Sequence, residues 1–469
     1  MLNNIFIFFF IILSFFALGS NLKIFYFKIL NFKNSDKNFI LFFGLSTSII
    51  AINYLVLSGI DLSTILILLN SNLLLFFIFN FKKINFNYLK NFTISDYLFF
   101  FMAIILFIKI LFEPVTIADA KAIWFYSGKI IFYNEGFNFE NFIQGFEYFK
   151  KEYVIYPKLI SSLSALIAKN YEIWNDYLPK ISIFLIFLPS FFFIMHEFTN
   201  AIDRIFVFTF VVLSNGFYLW NGYMDAYFAI YSCLSFYCLI KFFENKKDKY
   251  FISFVVFTIL VINLKIEFIF LLLTYFFFAI LKSKTIFLLK YFFNKKNIVF
   301  VLSLILPLIL FNFIFLYQYM ISNHQFFVSS LEITNDKDFY NHLKNLFVFT
   351  NILNERFSSY IELLLKMFYL ESNVFKYIIL IILLYVLIIK FKFVDKFNSV
   401  EYAKLCFVPL FYSLCIIIFL IYISYVNDLS FLKNWVISSY DRYTLTIKSL
   451  FSAIIIFYLK KFNYENKKI

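Results

Sequence analysis

The chain has 469 residues, of which 62% are hydrophobic and 15% charged; its mean hydropathy is +0.83 and its formal net charge +14. Soluble domains carry about 25% charged residues, so the composition excludes a large water-soluble core and points to a polytopic membrane protein. The basic excess calls for no nucleic-acid partner, because lysines retained on one side of a bilayer account for it.

Apolar runs near the roughly 20 residues needed to cross a bilayer fall at 3–20, 39–60, 62–81, 97–113, 178–197, 202–220, 225–243, 250–263, 267–283, 297–317, 374–391, 403–425 and 446–460. They predict an all-α, polytopic transmembrane bundle of about 13 helices. The first twenty residues lack a basic leader and a small-residue cleavage site, so they read as a membrane helix. The runs 250–263 and 267–283 are short and joined by "NLKIE", which suits a bent pair entering from one side. Phe occurs 77 times. With heavy use of Ile, Asn and Lys, this matches an A+T-rich coding bias, and Phe stripes read as lipid or bundle contacts.

Lysine asymmetry sets the orientation. Segments 21–38, 82–96, 198–204, 241–250, 282–297, 390–404 and 460–469 hold 25 of the 42 Lys+Arg and 8 of the 28 Asp+Glu, and are assigned to the cytoplasmic side. Trp124, Trp174, Trp220 and Trp435 then fall on or beside the outer face, the interface that indoles favour. Two long segments, 114–177 and 318–373, lie outside. The first follows Pro114, which stops the preceding helix. Both carry amphipathic stretches, "AIWFYSGKIIFY" and "YPKLISSLSALIAK" in one, "HLKNLFVF" and "YIELLLKMFYL" in the other, expected as helices in the interface plane.

Ionisable groups at membrane depth are costly and default to a functional site. Asp119 opens the first outer segment; Asp225 starts the seventh apolar run; Lys265 and Glu267 sit in the "NLKIE" turn; Asp441 and Arg442 precede the last run. All fall at one membrane level, so a single outer cavity is expected to gather them. Each has a plainer role open to it. Thr116 and Asp119 fit a capping box, Asp225 suits a helix N-terminus, Lys265 and Glu267 can pair or snorkel, and Arg442 can hold a lipid headgroup. Lys121 reads as a headgroup contact. The histidines His196, His324 and His342 and the cysteines Cys233, Cys238, Cys406 and Cys415 show no metal-ligand spacing, and no nucleotide-binding or nucleophile-elbow motif occurs.

The segments "DAKAIWFYSGKIIF", "YPKLISSLSALIAKNY", "NDYLPKISIF", "NGYMDAYFAIY", "NLKIEFIFLL" and "SSYDRYTLTI", in that order between residues 119 and 450, resemble the GT-C-fold membrane glycosyltransferases. That class includes protein O-mannosyltransferases and aminoarabinose transferases. Before Tyr156 and Pro157 the chain reads "EYVIYP", where relatives often carry His-Pro-Asp. The resemblance implies a GT-C-like catalytic module over 97–469, preceded by helices of unassigned role over 1–96. It further implies a catalytic base at Asp119, with Arg442, Lys265, Lys129, Asp225, Glu267, Asp441 and Tyr156 binding substrate. The donor would be a sugar on a polyprenyl phosphate, and the acceptor a hydroxyl of a glycolipid, glycan or protein. No cofactor is required, with room left for a divalent cation. The site would face the periplasm from the cytoplasmic membrane, among membrane lipid. A polysaccharide polymerase or ligase of different fold, and a lipid-linked sugar flippase or transporter, stay open as alternatives.

Overall fold

A computed structural model describes residues 2–30, 32, 37–80, 94–115, 120–145, 156–175, 177–305, 373–391, 398–426 and 429–466. Among these the chain is all-helical, with no strand. The helices in chain order are α1 (Leu2–Leu30), α2 (Lys37–Leu57), α3 (Leu62–Asn80), α4 (Ile94–Phe112), α5 (Tyr126–Tyr133), α6 (Phe139–Gly145), α7 (Leu159–Asn170), α8 (Ile181–Glu197), α9 (Ala201–Val207), α10 (Asp225–Asn245), α11 (Asp248–Ile262), α12 (Phe268–Leu281), α13 (Thr285–Phe292), α14 (295–305), α15 (Val374–Phe391), α16 (Ser399–Val426) and α17 (Leu429–Asn466). Among the described residues six stretches are long and apolar enough to cross a membrane: Phe6–Leu30, Lys37–Leu57, Leu178–Glu197, Ala201–Leu219, Asp225–Asn245 and Ser399–Phe419.

Helix ends follow local chemistry. α4 stops at Phe112, two residues before Pro114, because a proline ring disfavours helical backbone in the residue ahead of it. Asn200 caps α9 by accepting the Ile202 N–H. Lys246 closes α10 in a left-handed conformation, φ 51°. α10 is the spine of the bundle. Every residue from Asp225 to Phe243 is buried, and α11 and α17 pack along it. At 1.5 Å per residue its two ends lie roughly 30 Å apart.

Those ends differ in charge. At the C-terminal end of α10, Lys241 and Lys461 approach Glu244, Lys284 donates to the Phe243 carbonyl, and Lys282 pairs with Glu401. Beside them the buried Glu197 accepts from Tyr237 at 2.8 Å and Tyr250 at 2.9 Å and pairs with Lys249 and Lys460. Four of the segments assigned to one side by lysine content, 241–250, 282–297, 390–404 and 460–469, therefore meet at one end of the bundle. α11 leaves this end and α12 returns to it, so the "NLKIE" turn between them reaches the opposite end beside Asp225.

The first three helices are packed into the bundle. α1 crosses α2 so closely that a methyl group on Gly19 would sit 2.3 Å from the Gly44 carbonyl, the close backbone approach that small residues permit between membrane helices. α2 then packs on α7, α8 and α11.

Two expectations are corrected. α7 does not lie on an interface with one face in lipid: all its residues from Leu159 to Ala168 are buried, among α2, α3, α5 and α8. Its small residues Ser161, Ser164 and Ala165 let neighbouring backbones close in, and Ser161 donates to the Trp124 carbonyl at 2.8 Å. Asp441 and Arg442 do not precede the last helix; they lie inside the continuous α17. The second outer segment, with His324, His342 and Arg356, lies outside the described residues apart from residue 373, as does the side chain of Trp435.

Candidate functional site

The chain entering α10 is irregular. Residues Leu213–Leu219 form tight 3₁₀ turns, and the Asn221 side chain accepts the Tyr223 N–H at 3.2 Å, a local turn typical of Asn. Gly222 has φ +93°, and a methyl group there would come within 3.1 Å of Ala120 Cβ and of the Phe125 ring. Only glycine combines that backbone with that approach. The turn thus sets Gly222, just ahead of Tyr223 and Asp225, against the start of the helical stretch 120–133.

Asp225 begins α10, where the helix dipole favours a carboxylate. The Lys265 ammonium donates to Asp225 Oδ1 at 2.8 Å and lies 2.9 Å from Glu267 Oε1. Asp225 and Lys265 are 3% and 7% exposed. Burial works against the Lys265 charge, but Asp225 and then Glu267 more than offset it, and its pKa is held well above the ordinary lysine value. Tyrosine rings flank the cations: Lys265 lies 5.4 Å from the Tyr443 ring centre, and the Arg442 guanidinium 4.9 Å from that of Tyr223. Arg442 is near enough to Lys265 to act on its charge.

Asp225 Oδ2 and Glu267 Oε2 are buried with no hydrogen-bond partner among the described residues. Buried acceptors left unsatisfied are costly and rare, and a carboxylate oxygen is completed by a donor such as a ligand hydroxyl. As a metal cradle the pair is poor, because the Lys265 ammonium occupies the place between them. Among the described residues no three His, Cys, Asp or Glu side chains could hold a metal ion.

The other sequence candidates distribute as follows. Tyr156 is half-buried, its ring edge-on to Trp124 at 6.4 Å and within electrostatic reach of Tyr443. Asp441 is half-buried on α17 beside Arg442. Lys129 stands on the exposed face of α5 and forms no ion pair among the described residues, so the structure does not bring it into the buried group. Lys121 is also exposed. Asp119 lies outside the described residues; Ala120, which follows it, packs against Gly222.

Two buried lysines at this end escaped the sequence reading although both sit in quoted segments. Lys158 is 5% exposed, with its ammonium 3.4 Å from Ser127 Oγ and 4.8 Å from the Phe142 ring centre. Burial lowers its pKa to about 7. The available signal was a cation at the N-cap of α7, where the helix dipole disfavours it. Lys180, fully buried, donates to the Glu113 carbonyl. Asn53 of α2 was also unmarked; its amide donates to Asn263 Oδ1 at 2.9 Å, tying the N-terminal helices to the turn that carries Lys265.

Compared with known proteins, the chain matches no family model, no curated protein sequence and no solved structure.

Proposed function

We propose that this chain is an inverting membrane glycosyltransferase of GT-C-like architecture, with about 13 membrane helices, taking its sugar from a polyprenyl-phosphate donor. The observation that carries the reading is the buried group Asp225, Lys265 and Glu267 beside Arg442. It is assembled from three distant parts of the chain at one end of the bundle, and two of its carboxylate oxygens await a donor. A half-buried arginine beside a buried lysine suits a lipid phosphate, and carboxylate oxygens beside them suit sugar hydroxyls. A transporter would favour charges near the bilayer midplane, whereas Asp225, Lys265 and Glu267 lie at helix ends.

In this reading Asp119 removes the proton of an acceptor hydroxyl as general base. The freed oxygen attacks the anomeric carbon while its bond to the phosphate oxygen breaks, with inversion as at an inverting glycosidase. Polyprenyl phosphate leaves with the bonding electrons, and Arg442 with Lys265 stabilises its charge. Asp225 and Glu267 hold Lys265 and accept from the sugar. The reaction faces the outer side of the cytoplasmic membrane, opposite the lysine-rich end. The test is transfer from defined polyprenyl-phosphate sugars by purified protein, with acceptors chosen from glycan and lipid analysis of a deletion strain. Asp119→Asn is expected to lower turnover by about 10²–10⁴-fold, the usual contribution of a general base. Full activity in a normally inserted Asp119→Asn variant sinks the assignment.

A further inference from the structure

A cavity lies away from the candidate site, at the lysine-rich end. It measures about 380 Å³ and opens between the ends of α10, α12, α16 and α17, within the range of small-ligand sites. One wall is apolar, built by Phe243, Leu405 and Phe457; Lys282, Lys284 and Lys461 line the remainder together with Glu244 and Glu401.

The charges are unevenly matched. Glu401 is held by Lys282 and, at 3.1 Å, by Lys404. Glu244 is approached by Lys461 at 3.5 Å and Lys241 at 3.9 Å. Lys284 has no carboxylate within ion-pair distance among the described residues; its ammonium donates to the Phe243 carbonyl at 2.6 Å. Burial and then the like charges of Lys282 and Lys246 lower its pKa, and the more distant Glu401 and Glu244 offset this only in part. Its ammonium also lies 5.7 Å from the Phe243 ring centre and that of Lys282 5.7 Å from Phe278.

We propose that this cleft is a binding site for an anionic phospholipid, whose phosphate sits on Lys284 and Lys461 and whose glycerol and upper acyl chain lie on Phe243, Leu405 and Phe457. Three features argue for a phosphate ester attached to an apolar tail: a cation with no carboxylate at ion-pair distance among the described residues, an apolar wall beside it, and a location at the ends of four helices. Basic pockets between membrane helices recognise lipid headgroups by this combination. The site is roughly 30 Å along α10 from Asp225 and independent of the transfer reaction.

Native mass spectrometry of the detergent-purified full chain tests it, titrated with phosphatidylglycerol, phosphatidylcholine or inorganic phosphate. Phosphatidylglycerol is expected to bind tighter than phosphatidylcholine. Lys284→Glu and Lys461→Glu should each weaken it by at least about fivefold, Lys284→Met should weaken it without adding a negative charge, and Lys284→Arg should retain it. Thermal unfolding without lipid identifies any variant that fails to fold. Equal binding of the two lipids overturns the proposal, as does unchanged phosphatidylglycerol binding in folded Lys284→Met. Displacement of the lipid by inorganic phosphate alone assigns the cleft to a soluble phosphate and overturns it too.

Discussion

Lys265 shows how one side chain can hold a site together. Its ammonium serves two carboxylates, Asp225 and Glu267, and all three are largely withdrawn from solvent. Removing one member of a buried ionic group leaves an uncompensated charge, at a cost of about 3–5 kcal/mol, whereas neutralising the group together costs much less. Lys265→Met should therefore lower the melting temperature in detergent steeply, and adding Asp225→Asn with Glu267→Gln should restore much of it. A single variant as stable as the parent would show that the three groups are solvated. Lys158 behaves differently, because burial depresses its pKa from 10.5 to about 7. Between those values the unfolded chain binds the proton and the folded one does not. Stability contributed at this residue therefore rises with pH from about 7 to about 10.5, and its cost is fully present below 7. Melting temperature followed across that window should climb in the parent and climb less in Lys158→Met; identical slopes would refute a buried ammonium. The sequence marked Lys265 because a lysine in an apolar run is conspicuous. It did not mark Lys158 or Lys180, whose burial depends on what α5 and α4 place over them.

Among elements, helix existence was legible and helix environment was not. Each apolar run carries helix where it is described, since length and apolarity alone favour it in a bilayer. α7 looked interfacial because its serines and lysines gave it a polar face, yet that face is where close packing occurs. Serine satisfies its hydroxyl against a nearby carbonyl, as Ser164 does with Ser161 at 3.0 Å, and is then as small as a packing residue needs to be. α17 extends seventeen residues ahead of the expected start at 446, because hydropathy marks where a helix is apolar and not where it begins. The pairing of α1 and α2 makes its own prediction. Gly19→Leu places side-chain atoms where the Gly44 backbone already stands. It should cost about 1–3 kcal/mol through overpacking, read as a lower melting temperature. An unchanged value would mean the two helices do not meet there.

For the molecule as a whole, the two ends of α10 carry different charge groups: a carboxylate–lysine–arginine group at one, a lysine-rich rim at the other. Impermeant maleimide on intact cells is expected to label a cysteine replacing exposed Lys129, and to label one replacing exposed Lys247 only after permeabilisation. Cys233 and Cys238 are buried and should stay silent, while half-buried Cys406 and Cys415 are replaced by serine in the parent. The reverse pattern would invert the topology and the proposed outer site with it.

By itself the sequence determined that the chain is helical and apolar enough for a membrane, because both properties follow from local composition. Only the tertiary structure decided which charges are partners. Asp225 and Lys265 are forty residues apart, Asn53 and Asn263 two hundred and ten, and such pairings depend on how helices turn about their axes. No periodicity records that rotation; it emerges only when the whole bundle packs.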